Sequence, residues 1–493
     1  MPSEILRKAR AYEAEYGAKI PPEQRPAYHL TPYVGWMNDP NGFSFYNGQY
    51  HMFYQYNPYR TKWGPMHWGH AVSKDLLHWE HLPCALAPDA PYDNGPGCFS
   101  GSAVETADGK QLLLYTSVVA EEQPDGEKRD IQTQAIAIGD GVDYEKPLDH
   151  PVLTVRDIPA GYSKFDFRDP KIWREEDGYY AVTVNCTEDG SGAALLFHST
   201  DGYEWKYVAI LDRSSNELGR MWECPDFFPL DGKQVLMVGP MEMRAKGPFH
   251  NGHNVIALIG EYNKATHTFT REDVQLMDCG IDFYATQTTL APDGRRLMTA
   301  WLQTWSDTED KPENCKWFGQ LICPRELHLK DGRIIQTPVK ELDAAHGKRT
   351  FHKNVPVHME TTLPGIGGRV ADLTIQLETG EEMYHTFTVR VAAGEDYYTS
   401  LTYDSYSSVL TLDRSHAGSR ADVVHTRSCR VRRQNGALKL RILLDKNSVE
   451  VFVNDGEQTM TAWIYTLQSA QDITFAATGS DVNLTVEQYE LDL

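Results

Sequence analysis

The sequence predicts an all-β fold in which a five-bladed β-propeller is followed by a C-terminal β-sandwich. Three observations support this prediction: a hairpin signal that recurs five times, similar apolar strands after each of these turns, and a different strand pattern after residue 340. The chain has 493 residues, which is enough for two or three domains. Its 41% hydrophobic and 24% charged residues are typical of a folded globular protein.

The repeated unit of the predicted propeller is a turn of the Asn-Gly or Asp-Gly type. Such a turn between apolar runs is the strongest local signal for a β-hairpin. One hairpin in every sixty residues or so predicts a four-stranded blade, and five periods predict five blades over residues 26–345. A row of separate β domains is the alternative. The five turns are Asn47-Gly48, Asp108-Gly109, Asp177-Gly178, Asp231-Gly232 and Asp293-Gly294.

The two ends of the chain differ from the repeat. Segments such as ADLTIQLE and SVEVFVND alternate apolar and polar residues, which predicts an antiparallel sandwich over residues 350–493. Residues 1–25 are rich in Ala, Glu, Arg and Tyr, and we expect them to form a short helical lead-in.

Charge and cysteine content exclude several classes of function. The net charge of −22 would repel nucleic acids and anionic lipids. The first residues are charged where a secretory signal needs an apolar run, and no stretch is apolar enough to span a membrane. The eight cysteines show no metal-ligand spacing, so reduced thiols are expected. We therefore predict a cytoplasmic protein that has no metal site. We also expect that it binds neither nucleic acid nor membranes.

The repeat also brings acidic residues together. Quasi-symmetry should place the residues nine positions before each turn glycine at the same end of the ring, near its axis. Three of these five residues are acids, and each acid has a proline within two residues. A single Asp-Pro is often only a turn, but three acids in one repeat position predict a pocket lined by carboxylates. The five positions are Asp39, Ser100, Asp169, Glu223 and Ala285.

Converging carboxylates without a metal motif indicate glycoside chemistry. One acid protonates the leaving oxygen, while another attacks the sugar or activates water. Crowding should separate the pKa values of the acids and leave one of them protonated near neutral pH. The sequence contains no nucleotide-binding loop, and we expect no cofactor.

Five motifs follow one another along the chain: WMNDPNG from Trp36, CFSGS from Cys98, FRDP from Phe167, WECPDFF from Trp222 and DFYATQ from Asp282. They resemble the motifs of family 32 of the glycoside hydrolases, in the same order. That family contains invertases, sucrose-6-phosphate hydrolases, inulinases and levanases. The resemblance spans nearly the whole chain and implies a five-bladed propeller with a C-terminal sandwich, in agreement with the hairpin count.

The resemblance implies a role for each acid. Asp39 would be the nucleophile that forms a covalent fructosyl-enzyme, and Glu223 would be the acid/base. Asp169 would stabilise the transition state by binding fructose hydroxyls. A retaining mechanism of this kind places the two reacting carboxyl groups about 5 to 5.5 Å apart.

The resemblance also implies a set of substrate-binding residues. Their amide, hydroxyl and guanidinium groups would hold the fructose hydroxyls, and their aromatic rings would exclude water. Phe99 stands where the family usually has Trp, so an indole donor is missing there. The set consists of Asn38, Gln55, Trp63, Phe99, Ser100, Arg168, Tyr284 and Trp301.

The expected function is therefore that of a β-fructofuranosidase acting on sucrose and short fructo-oligosaccharides. Sucrose-6-phosphate hydrolysis is the alternative, and it needs cations near the glucose 6-position, for which Arg60, Lys62, Arg244 and Lys246 are candidates. Fructosyl transfer and a non-catalytic fructan-binding propeller also stay open. The sandwich is expected to brace the propeller, in a monomer or a homo-oligomer.

Overall fold

The N-terminal segment of the computed structural model is a helix docked on the first blade. The structure describes residues 2–187, 189–308, 315–379, 382–419, 423–432 and 435–493. Helix α1, Glu4–Gly17, begins where the Ser3 hydroxyl accepts a hydrogen bond from the Leu6 amide. One face of α1, including Leu6 and Ala9, is buried. A 3₁₀ helix, Pro22–Gln24, follows. Within the described ranges, no helix is long and apolar enough to cross a membrane.

Five antiparallel sheets follow in chain order. Two further 3₁₀ helices, Val155–Asp157 and Trp305–Asp307, lie in the connections. The first sheet contains β1 Gly35–Tyr46, β2 Gln49–Asn57, β3 His67–Ser73 and β4 Glu80–Leu86; the second contains β5 Gly97–Glu105, β6 Gln111–Glu122, β7 Lys128–Gly139 and β8 Tyr144–Glu145. The third contains β9 Tyr162–Glu175, β10 Gly178–Thr187, β11 Gly192–Ser199 and β12 Lys206–Arg213; the fourth contains β13 Trp222–Leu230, β14 Lys233–Pro240, β15 Ile256–Asn263 and β16 Thr268–Leu276. The fifth contains β17 Tyr284–Leu290, β18 Arg296–Trp301, β20 Arg325–Lys330 and β21 Arg333–Pro338, while β19 Trp317–Phe318 pairs with β1 of the first sheet.

The first strands of the five sheets form a closed ring. Strands β1, β5, β9, β13 and β17 contact one another in this order, and β17 contacts β1. Strand β19 comes from the chain segment after β18 but pairs in parallel with β1, which joins the last sheet to the first. Closure of the ring protects the sheet edges. The number of sheets in the ring equals the number of blades that the hairpin repeat predicts.

Each first strand is interrupted by a register shift near the same end. A bulge of this kind bends the strand and changes the direction of its side chains. Three residues in these bulges, Asp169, Cys224 and Ala285, have positive φ angles of 60°, 47° and 52°. The shifts lie between Met37 and Pro40, Cys98 and Gly101, Arg168 and Lys171, Glu223 and Asp226, and Tyr284 and Gln287.

The C-terminal part is a sandwich of two six-stranded sheets, reached through the short helix α2, Glu341–Ala344. The alternation that predicted it is seen in strand β24, Ala371–Thr379, where Leu373, Ile375 and Leu377 enter the core between the sheets. A propeller followed by a β-sandwich is therefore confirmed. One sheet has the order β22 His346–Val357, β33 Val482–Leu491, β24 Ala371–Thr379, β29 Leu438–Asp445, β30 Ser448–Val453 and β31 Gln458–Trp463. The other has the order β23 Thr361–Gly367, β32 Asp472–Thr478, β25 Thr386–Ala393, β26 Thr399–Asp404, β27 Val409–Asp413 and β28 Thr426–Arg430.

Buried charges join the sandwich to the propeller. Arg325 of β20 is fully buried and donates to Asp278 at 3.1 Å and to Glu450 of β30 at 2.7 Å. His29 lies between Glu450 and Asp445, at 2.9 and 2.8 Å. Although burial lowers the pKa of His29, these two hydrogen-bonded carboxylates raise it to about 9. The interface is thus held by paired charges, each of which depends on its partner.

Candidate active site

A cavity of about 400 Å³ lies at the end of the ring where the first strands are bulged. Nine of the eleven predicted site residues line it, and the three acids are among them. These nine are Asn38, Asp39, Gln55, Trp63, Phe99, Ser100, Arg168, Asp169 and Glu223.

Asp39 is held by three donors. Its Oδ2 accepts from the Ser100 hydroxyl at 2.6 Å and from the Cys224 thiol at 3.5 Å, while its Oδ1 accepts from the Asn38 amide at 2.9 Å. Asn38 is itself fixed, because its oxygen accepts from the Trp36 indole at 2.7 Å. Burial raises the pKa of Asp39, although the Ser100 hydrogen bond opposes this shift. The donors therefore favour the ionised carboxylate in a position where burial disfavours it.

Asp169 lies in the bulge of β9 and is almost completely buried. Its backbone amide donates to the Thr116 hydroxyl at 2.8 Å, and its carboxylate accepts from the Cys224 amide at 2.9 Å. Burial raises the pKa of Asp169, and the neighbouring acids raise it further, while the adjacent Arg168 opposes them. Burial in the cavity thus disfavours the charge of Asp169, as it disfavours that of Asp39.

Both oxygens of Glu223 have partners. Oε1 accepts from Arg168 Nη2 at 3.1 Å, and Oε2 accepts from the Tyr284 hydroxyl at 2.7 Å. Burial raises the pKa of Tyr284, and the Glu223 charge raises it further, so the hydroxyl stays protonated and donates. These two contacts orient the Glu223 carboxyl toward the cavity.

The three acids do not occupy one ladder position, although each lies nine residues before its turn glycine. The last paired residue before the bulge serves as the reference position in each first strand. Glu223 occupies this position in its strand, Asp169 lies one residue after it, and Asp39 lies two residues after it. Arg168 and Tyr284 are the residues equivalent to Glu223 in the third and fifth blades. The ladder therefore explains why these two side chains meet Glu223.

Trp63 and Phe99 form one aromatic part of the lining. Their rings meet edge to face with centroids 5.7 Å apart, and 43% of Trp63 is exposed at the mouth of the cavity. Gln55 Nε2 donates to the Cys98 carbonyl at 3.0 Å, which ties the first blade to the second. An apolar wall with a few oriented polar groups is typical of a sugar-sized ligand site.

Two predicted binding residues lie behind the cavity instead of lining it. Trp301 is fully buried, and its ring packs against Trp36 and Trp305. In the β17–β18 ladder it pairs with Tyr284, which precedes the bulge, and not with a residue inside the bulge. Tyr284 is also buried and reaches the site only through its hydroxyl on Glu223. Trp305, which sequence reasoning did not select, is exposed to the cavity in place of Trp301.

Sequence reasoning also missed other lining residues. Asp166 and Gln132 accept from Arg168 at 3.3 and 3.4 Å, so they hold the guanidinium that holds Glu223. Asp166 is two residues from Arg168 on β9, a spacing that places both side chains on one face and could have revealed it. The missed residues are Gln132, Asp166, Met241, His253 and Trp305.

Among the described residues, the group best able to hold a metal ion is outside the cavity. Asp343, His346 and Asp372 place their ligand atoms within 4.8 Å of one another near helix α2. Arg441 donates to both carboxylates at 2.7 and 2.6 Å and thus supplies a positive charge where an ion would bind.

Comparisons with known proteins find the same family along residues 29–491. The family model described as Glycosyl hydrolases family 32 N-terminal domain matches residues 29–338, and the family 32 C-terminal model matches residues 339–491. A sucrose-6-phosphate hydrolase of Zymomonas mobilis subsp. mobilis is 36% identical over 470 residues, covering 91% of this chain and 86% of the relative. A raffinose invertase of Escherichia coli is 36% identical over 462 residues, covering 93% of each chain.

The solved structure of a Bombyx mori GH32 beta-fructofuranosidase mutant in complex with sucrose is also similar. It superposes with a TM-score of 0.83 at 32% sequence identity and covers 100% of this chain and 99% of its own. The two family models together span nearly all of the sequence. The chain therefore belongs to family 32 of the glycoside hydrolases.

Proposed function

We propose that this family 32 enzyme is a β-fructofuranosidase that hydrolyses sucrose and short fructo-oligosaccharides with retention of configuration. The convergence of Asp39, Asp169 and Glu223 in one sugar-sized cavity carries the proposal. The relatives named raffinose invertase and beta-fructofuranosidase support this choice of substrate class.

In the first step, an Asp39 oxygen attacks the anomeric carbon of the fructosyl group, and the bond to the leaving oxygen breaks. Glu223 gives its proton to that oxygen, so the aglycone leaves as a neutral alcohol. Hydrogen bonds from Ser100 and Asn38 keep Asp39 ionised for the attack. The product of this step is a fructosyl ester of Asp39.

In the second step, Glu223 takes a proton from water while the water oxygen attacks the same carbon and releases Asp39. Glu223 is a carboxylate after the first step, and the donors Arg168 and Tyr284 orient its two oxygens for this proton transfer. Asp169 binds fructose hydroxyls and stabilises the positive charge that develops on the sugar ring. Two inversions at one carbon give overall retention.

Sucrose 6-phosphate is the second candidate substrate, and exposed cations in two segments that also carry lining residues favour it. Arg60 and Lys62 are exposed in the segment that carries Trp63, and Arg244 and Lys246 are exposed between Met241 and His253. The cavity wall itself carries Asp166 as a further acid, which disfavours a phosphate close to the reacting centre. The Zymomonas relative bears the name of this second activity.

Parallel turnover of sucrose and sucrose 6-phosphate at matched concentrations tests the proposal. A kcat/KM for sucrose equal to or above that for the phosphate supports the β-fructofuranosidase, with release that disappears in Asp39→Ala. A hundredfold preference for the phosphate, about 2.7 kcal/mol, assigns the second activity. Absence of Asp39-dependent release from both sugars, with inulin and levan also inert, contradicts the proposal.

A cytoplasmic location is part of the same proposal. All eight cysteines are free thiols, and five of them are buried in the propeller or its border with the sandwich, as in proteins from reducing compartments. These five are Cys84, Cys98, Cys186, Cys224 and Cys323. Fractionation of the native host cells, with the activity assay as the marker, tests the location.

A further inference from the structure

A segment between the fourth and fifth blades, residues 278–282, lies along the edge of the sandwich. Strand β31 is the last strand of its sheet, and the segment covers it. The amides of Cys279 and Ile281 donate to the carbonyls of Thr459 and Thr461, each at 2.8 Å. Gly280 allows this approach, because a Cβ there would lie 2.1 Å from the Thr461 amide nitrogen. The sandwich thus determines the course of a propeller segment.

Asp282 is the last anchor of this segment. Its Oδ2 accepts from the Trp463 amide at 2.7 Å and from Arg414 Nη1 at 2.6 Å, and both Asp282 and Arg414 are fully buried. Arg414 belongs to the sandwich, immediately after β27. Two residues after Asp282 the chain reaches Tyr284, the first residue of β17 and the donor to Glu223.

Arg414 is itself held in a rigid frame within the sandwich. Its Nε donates to the Val424 carbonyl at 3.0 Å, and its guanidinium lies 5.0 Å from the centre of the Tyr465 ring. A planar, multiply bonded guanidinium fixes its partner's position in a way that a lysine ammonium does not. The geometry therefore connects the sandwich to Glu223 through Asp282 and Tyr284.

We propose that Arg414 is a positioning residue for the Glu223 carboxyl, so that the sandwich contributes to acid catalysis and not only to stability. The proposal rests on the role given to Glu223 under the proposed function. A displaced Tyr284 hydroxyl would leave Glu223 with one orienting donor, Arg168. Misplacement of a catalytic group by about 1 Å can reduce a rate by about a hundredfold.

Two substrates that differ in their need for an acid distinguish positioning from a general structural role. Sucrose needs a proton on its leaving oxygen, whereas β-fructofuranosyl fluoride releases fluoride without one. We expect Arg414→Lys to reduce kcat/KM for sucrose by about tenfold or more and to leave kcat/KM for the fluoride within about twofold. Tyr284→Phe should show the same pattern. Asp282→Asn serves as a second variant if Arg414→Lys does not fold.

The control is Arg432→Met, which removes an exposed sandwich arginine that pairs with Glu457 at 3.1 Å. This variant should leave both substrates unaffected. A parallel loss on sucrose and the fluoride in the Arg414 and Asp282 variants, or no loss on either, overturns the proposal. Glu223→Ala identifies the source of a failure: if this variant also loses both substrates equally, the proposed function fails, and if it loses sucrose alone, only the role of Arg414 fails.

Discussion

The first strands of the propeller and strand β24 of the sandwich differ in how regularly they pair with their neighbours. The ladders of β24 with β29 and β33 are continuous, and their apolar residues alternate into one core. Each first strand of the propeller is instead broken by a bulge, and polar side chains cluster at the break. Regular pairing thus accompanies the apolar core of the sandwich, while the cavity of the proposed active site is built on local departures from regular pairing.

The largest expected effect tests whether the bulged ends hold the chemistry. Asp39→Asn keeps the size of the side chain and removes the nucleophile, and we expect kcat on sucrose to fall by about 10⁴-fold or more. The melting temperature should not fall. The control is Asp404→Asn, a change in a sandwich turn, which should keep full activity. Residual Asp39-independent turnover above one hundredth of the wild-type rate would contradict this assignment.

The next effect tests the buried charges that join the two regions. Arg325→Met removes the buried cation that Asp278 and Glu450 share and leaves Glu450 with His29 as its charged partner. We expect a loss of about 3 to 5 kcal/mol in the free energy of unfolding. Urea unfolding followed by tryptophan fluorescence measures it. The matched control, Arg349→Met, removes an exposed pair with Glu487 and should cost about 1 kcal/mol at most. Equal losses in both variants would show that the interface charges contribute no more than surface pairs.

A smaller effect of opposite sign is expected at Asp169. Its pKa is higher in the folded than in the unfolded state because of burial, so wild-type stability falls as pH rises from the unfolded pKa toward the folded one. Asp169→Asn removes this penalty and should raise the free energy of unfolding by about 1 to 2 kcal/mol at neutral pH and by little near pH 4, while activity is lost.

The control for Asp169 is an acid with the opposite shift. Partial burial raises the pKa of Asp75, but hydrogen bonds from His78 and Leu77 outweigh it and lower the pKa overall. Asp75→Asn should therefore reduce stability at neutral pH and lose its effect as the solution becomes acidic. Thermal unfolding at several pH values checks both variants. A destabilised Asp169→Asn protein at pH 7 would show that the cavity does not penalise this charge.

The smallest effect concerns the donors on Asp39. The Ser100 hydroxyl opposes the rise in the pKa of Asp39, so Ser100→Ala should move the acidic limb of the pH profile of kcat/KM to higher pH by about half to one unit. Ser117→Ala, which loses only bonds to Thr133, should keep the wild-type profile. An acidic limb that does not move would assign that limb to a group other than Asp39.

Sequence and tertiary structure determined different parts of this protein. The alternating strands, the recurrent Asp-Gly turns and the acids Asp39, Asp169 and Glu223 were readable because turn chemistry and side-chain period are local properties. That Trp305 lines the cavity and Trp301 does not could not be predicted from the sequence. A bulge changes which face a residue occupies, and the sequence does not say which neighbouring residue is the extra one.

The partners of Glu223 also needed the folded ring. Arg168 and Tyr284 come from blades whose first strands are far apart in sequence, and only closure of the ring brings their equivalent ladder positions to the same carboxyl. The anchoring of Asp282 by Arg414 likewise depends on how the sandwich meets the propeller. The amino-acid pattern by itself determined the architecture and which three acids line the cavity. Long-range packing alone decided how those acids are oriented, because hydrogen-bond geometry between distant segments is not encoded in any local pattern.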